Sequence, residues 1–305
     1  MILNFIIYNF STMKWLVLSD EIDSAVKFSE SLCNSFSDSQ VVSSTSRLSK
    51  DIVDEIDTFT HVVVDCSVQD NGELAYSVGF LAGSGACIFA TADSFSIKLF
   101  DFPSVQIFDS FENLSVFVLE NAQEIIDEDL RTSAFDFLFE NGYPFDADNF
   151  ARYIEKWKKK ICQCYLDAGM SVNSRDSDGT PMLNIASRCD NLTAVKWLVS
   201  HGAEINAVSK DRGYSAIMDA VWRGNLEITK YLVKQGAELN TISKEGQTML
   251  ILAVGADRTE IVQLLAENGA DPDIADSMGM SAYGYASLFK KTEILSILEK
   301  YHKEQ

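Results

Sequence analysis

Apolar and polar positions follow two different rhythms along this chain. In the first third, short apolar runs alternate with longer amphipathic ones. KWLVLS (14–19) reads as a strand and EIDSAVKFSESLCNSF (21–36) as an amphipathic helix, and QVVSST (40–45) with LSKDIVDEIDTF (48–59) repeats the pair. HVVVDCS (61–67) is a continuous apolar run, as in a strand buried on both faces. GELAYSVGFLAGSG (72–85) predicts a closely packing helix, ACIFATA (86–92) and VQIFDS (105–110) two more strands, and ENLSVFVLENAQEIID (112–127) a closing helix. Such alternation predicts an α/β domain over 13–128, a doubly wound parallel sheet of about five strands.

The second rhythm is slower. Gly179, Gly213, Gly246 and Gly279 recur at steps of 34, 33 and 33 residues, and Gly169, Gly202, Gly236 and Gly269 each close an amphipathic run on the same beat. A period near 33 predicts a solenoid of stacked helical pairs over 129–305, with four clear units from about residue 176. Upstream the pattern weakens: 149–173 reads as a shorter unit, and 135–149 as a lone second helix capping the stack.

Charge divides the chain in the same way. Residues 1–150 hold 6 basic and 25 acidic residues, a balance of −19, whereas residues 151–305 hold 19 and 20, a balance of −1. So acidic a first half is repelled by phosphate backbones and anionic lipid surfaces, which argues against nucleic-acid or membrane partners. The apolar start, MILNFIIYNFST, lacks a basic flank and is too short to span a bilayer, so Met13 is read as the start, or the stretch as an edge strand or loose arm. Cys162 and Cys164 lie two apart on a helix and face apart, and no CxxC occurs. No metal site or cofactor is expected, and a reducing, cytoplasmic setting fits best.

Around HVVVDCSVQDNGELAYSVGFLAGSGACIF the first half resembles the nucleoside 2-deoxyribosyltransferases. The resemblance implies Asp65 at a strand end, a helix carrying Tyr76 to Phe80, and a glycine-containing break from Gly83 to Ala86. It also places Ser77 where that family has its nucleophilic glutamate. Glu73 lies one helical turn earlier, about 6 Å along the axis. Asp65, Glu73 and Ser77 are therefore the catalytic candidates, in a domain expected to have lost its activity. The turn after the first strand, SDEIDS, carries acids where a phosphate loop needs open amides. A phosphoreceiver is the other doubly wound reading: Asp20, Glu21, Asp65 and Thr91 suit it, but its lysine after the fifth strand is missing.

The repeating units resemble ankyrin repeats. Each has a turn glycine, an alanine seven residues on (Ala186, Ala220, Ala253, Ala286), an apolar pair in the second helix, and a Gly-Ala-x-x-Asn/Asp loop in the first three. The family's Thr-Pro-Leu-His motif is poorly kept, with Pro181, Ser215, Thr248 and Ser281 at its threonine and Asn184, Met218, Ile251 and Gly284 at its histidine. The resemblance implies partner binding through hairpin tips and the open side of the first helices. By register these are Asp178, Arg188, Asp211, Arg212, Tyr214, Trp222, Arg223, Lys244, Glu245, Gln247 and Met280, with Ser177, Thr180, Met278 and Leu288 beside them. Trp222 stands out, because tryptophan and arginine dominate interface energies. The sequence thus points to a non-enzymatic cytoplasmic adaptor for a protein partner, with an N-glycosidic-bond-processing enzyme recruited by its repeats as the alternative.

Overall fold

Alternating burial turns the apolar runs of the first half into a parallel sheet. The computed structural model describes residues 13–19, 22–36, 40–44, 52, 56–65, 72–84, 86–91 and 105–303. The chain divides into two compact units, Met1–Ser133 and Ala134–Gln305. In the first, strands β1 (Lys14–Ser19), β2 (Gln40–Ser44), β3 (His61–Asp65), β4 (Cys87–Thr91) and β5 (Val105–Phe108) run parallel in the order β2-β1-β3-β4-β5.

Successive side chains of a strand point to opposite faces, and each face gathers its own core. Leu16, Leu18, Val62, Val64, Ile88 and Ala90 pack with Val78, Leu81 and Ala82 of helix Gly72–Gly83. On the other face Trp15, Val17, Val63 and Phe89 pack with Ala25, Phe28 and Leu32 of helix Ile22–Ser35 and with Leu114 and Val118 of helix Phe111–Glu120. The expected closing helix is interrupted at Asn121, whose side-chain amide donates to the Phe117 carbonyl at 2.7 Å. A second helix, Ala122–Glu140, then runs on through the stretch read as a separate capping helix. Most of the helix expected over 48–59, and all of residues 1–12, lie outside the described residues.

The second unit is a series of helical pairs. The first helices Met182–Arg188, Ala216–Arg223, Met249–Gly255 and Ala282–Leu288 are followed by second helices Leu192–Ser200, Leu226–Lys234, Thr259–Glu267 and Thr292–Leu298. Upstream, Ala147–Glu155 and Lys159–Asp167 form a complete further pair. Ala186, Ala220, Ala253 and Ala286 are fully buried where neighbouring first helices meet. Leu198, Leu232, Leu265 and Leu298 are fully buried as well, while their partners Tyr231, Leu264 and Ile297 are half-buried.

The turn glycines hold left-handed backbone. At Gly246 φ is +79° and a Cβ would come within 2.7 Å of the Ser277 backbone nitrogen, so both conformation and space require glycine. A third series on the same beat joins the two helices of each pair: Trp157, Asp190, Gly224, Asp257 and Lys290 all have positive φ. Its first member, Trp157, gives the pair upstream of the four clear units the same left-handed turn between its helices.

The loop Asn/Asp positions stitch neighbours together. Asn173, Asn206 and Asn240 accept, through Oδ1, the backbone N–H groups of Glu204, Glu238 and Asp271 at 2.8–2.9 Å, and Asp273 accepts that of Lys303 at 2.9 Å. Each bond satisfies a donor one repeat further on, which explains an amide or carboxylate at that place. Among the described residues no helix is long and apolar enough to cross a membrane.

Candidate functional site

The two units carry separate candidate sites. In the first unit, parallel register brings the carboxyl ends of β1, β3 and β4 side by side: Ser19 pairs with Asp65, and Ala90, just before Thr91, pairs with Val64. The Asp65 carboxylate accepts from the Ser19 hydroxyl at 3.3 Å and from the Thr91 hydroxyl at 3.2 Å. Both hydroxyls are buried. β1 and β3 are neighbours in the strand order although β2 lies between them in sequence. Asp20, Glu21 and the residues after Asp65 and Thr91 lie outside the described residues, as does the Glu73 side chain. Ser77 is buried on helix Gly72–Gly83, whereas Tyr76 beside it is exposed.

His61, at the opposite end of β3, is buried and stacked on Trp15 with ring centroids 4.6 Å apart. Burial lowers its pKa from 6.5 to about 4, so the ring is neutral at pH 7.

In the second unit the residues singled out by register fall into two groups. One group is engaged in holding repeats together. Asn184, at the position of the lost histidine, donates to the Tyr214 carbonyl and to Asp219 Oδ2, both at 2.8 Å. Arg188 Nε donates to Asp219 Oδ1 at 3.1 Å and its Nη2 to Asp211 Oδ1 at 3.2 Å. Asp219 is 1% exposed, and burial pushes its carboxyl above the ordinary value against the pull of Arg188 and Asn184. Burial also works against the Arg188 charge, but Asp219 and Asp211 hold the guanidinium more firmly protonated than usual.

Two of the register positions are not at the surface. Tyr214 is 2% exposed: its ring lies under the Arg212 guanidinium at 5.0 Å, and its hydroxyl donates to Gln247 Oε1 at 3.4 Å. Thr180 is buried too, with its N–H on Asp176 Oδ1 at 2.7 Å. Both follow the turn glycine directly, and the chain there is already turning inward toward the first helix.

The other group remains open to solvent. Asp178, Arg223, Lys244 and Glu245 are exposed, and Gln247 and Met280 are half-buried. Lys244 spans the tips, its N–H on the Arg212 carbonyl and its ammonium on that of Lys210. Trp222 is 50% exposed at the end of its helix, and Met278, Leu288 and Phe289 are exposed further along. Beside Arg188 opens a cleft of about 350 Å³, lined by Glu155, Asp176, Asp178, Thr180, Ile185, Arg188, Cys189 and Asp211. Asp219 and Glu155 join the site without having been legible in the sequence. Asp219 nevertheless carries a signal of its own, a carboxylate set inside the apolar run AIMDAVW of its helix.

Comparison with known proteins agrees with this geometry. Residues 153–243 and 217–304 match the family model for ankyrin repeats in three copies. A protein of Treponema pallidum (strain Nichols), described as ankyrin repeat-containing, is 34% identical over 161 residues. That match covers 53% of this chain and 54% of the relative, so the chain spans about half the length of the protein it matches. With in-register turn glycines, buried alanines and paired helices, the second half of this chain, residues 153–304, is an array of ankyrin repeats.

Proposed function

We propose that this protein is a non-enzymatic cytoplasmic adaptor whose ankyrin repeats hold a protein partner, working without metal or cofactor. The observation that carries the reading is the division of labour along the stack. Asn184, Arg188, Asp219 and Tyr214 bind neighbouring repeats to one another, while Trp222 and Arg223 end their helix in solvent. A half-exposed tryptophan does little for a fold and much for an interface. In this reading the repeat domain covers 129–305, and the doubly wound 13–128 domain is a deoxyribosyltransferase-like fold without its nucleophile, Ser77 being buried. Affinity capture with the wild type beside a Trp222→Ala, Arg223→Ala variant tests it. The expected result is a partner retained by the wild type and lost by the variant at unchanged thermal stability. A partner set identical for both proteins contradicts the proposed surface.

The alternative, an enzyme acting on N-glycosidic bonds, draws on the Asp65 carboxylate oriented by Ser19 and Thr91 at the strand ends. Release of nucleobase from deoxynucleosides, abolished by Asp65→Asn or Glu73→Gln, would establish it in place of the adaptor.

A further inference from the structure

The last turns of the four first helices place one residue each in register: Arg188, Trp222, Gly255 and Leu288. Trp222 and Leu288 are exposed large apolar residues, and Gly255 lies between them on the intervening helix. Nothing in the fold asks for glycine there. Its φ is not in the left-handed region, and a Cβ would meet no atom within 4 Å. Glycine in a helix forgoes about 1 kcal/mol relative to alanine, so its stability argues for another residue. What Gly255 does provide is a notch, with the helices carrying its two apolar neighbours each about 8–10 Å away.

The Arg188 end of the row is rich in carboxylates, with Arg212 at its edge 3.8 Å from Asp211. Among the described residues that line the cleft there, Arg188 is the one cation, and Asp219 and Asp211 already hold it. Glu155 and Asp178, also in the lining, are exposed and form no ion pair among the described residues. Asp176 adds a further carboxylate to the wall. The face therefore runs from an acidic cleft at one end to an apolar row, with a gap in it, at the other.

We propose that this face docks a basic-apolar peptide segment of the partner, in a defined direction. An apolar side chain enters the notch over Gly255 between Trp222 and Leu288, and an arginine or lysine reaches the cleft at Glu155 and Asp178. Arginine suits the cleft better, since its planar guanidinium can pair bidentately with a carboxylate. The inference rests on the adaptor reading and adds the chemistry of the bound segment and its polarity along the stack.

The test uses the full-length protein and three labelled peptides with the same leucines, differing only in having Arg, Glu or Ser at one end. The Arg peptide is expected to bind, and Gly255→Phe to weaken it roughly ten-fold or more by filling the notch. Gly255→Ala, a small addition in open space, leaves binding in place and shows that the helix tolerates a side chain. Glu155→Gln with Asp178→Asn should weaken binding several-fold and flatten its salt dependence, with thermal unfolding unchanged. Equal binding of all three peptides, preference for the Glu peptide, indifference to Gly255→Phe, or no binding at all overturns the inference. If the Ser or Glu peptide binds best and Trp222→Ala still weakens it, the adaptor reading stands and only the partner chemistry falls.

Discussion

At single residues, polar side chains divide between those that serve the stack and those that face outward. Arg188 is the sharpest case. An arginine in the last turn of a first helix reads as a contact residue, yet its guanidinium neutralises a carboxylate that the next repeat buries. Removing one partner of a buried pair leaves the other uncompensated. Arg188→Met should therefore destabilise the protein by about 2–3 kcal/mol in denaturant unfolding. The sign of its pH dependence follows from Asp219, whose carboxyl is already raised by burial. A raised carboxyl is easiest to accommodate when protonated, so the variant's deficit should shrink as pH falls from 7 toward 4; a constant deficit would show that the ion pair is not its cause. The sequence revealed where Asn184 and Arg188 sit but not this role. Register predicts position, whereas the partner, Asp219, lies about one repeat away in sequence and is recognised only once the helices pack. Tyr214 departs from its register position for the opposite reason: it follows a tip glycine directly, and aromatic bulk there is drawn into the core.

Among elements, periodicity was the more legible signal. Turn glycines and buried alanines marked four repeats because those positions tolerate few residue types. The left-handed turn within each pair was invisible, since Trp157, Asp190, Asp257 and Lys290 fill it beside one glycine. That variety also hid the completeness of the pair at 147–167. The sheet strands were legible from continuous apolar runs, but the helix expected over 112–127 breaks at Asn121, and the second piece, Ala122–Glu140, runs past 127 because nothing in AQEIIDEDLRTSAFDFLFE stops it.

His61 supplies a prediction at this scale, since it ties β3 to β1 through Trp15. Its folded pKa of about 4 lies below the ordinary 6.5, so the unfolded chain takes up the proton first. Stability is retained above pH 6.5 and declines as pH falls toward 4, by about 3 kcal/mol at full extent. Thermal unfolding of the wild type and His61→Gln should therefore converge as pH is lowered from 7 to 4; curves that stay equally separated would contradict this origin.

For the molecule as a whole, one chain joins a strongly acidic α/β unit to a nearly neutral ankyrin array. The Asp65 cluster could only partly be read from sequence. Asp65 and Thr91 stand out in the sequence as strand-end candidates, but the bonds from Ser19 and Thr91 to Asp65 depend on register between neighbouring strands that are set far apart in the chain. The binding surface was legible as a list of positions and not as a chemistry, because the scaffold fixes geometry while its open residues set specificity. The most direct measurement of the central claim is site-specific photocrosslinking to partner protein from positions 222 and 288, set against positions 227 and 230 on a second helix. Adducts are expected from the first pair alone. Adducts arising only from the second-helix positions would contradict it.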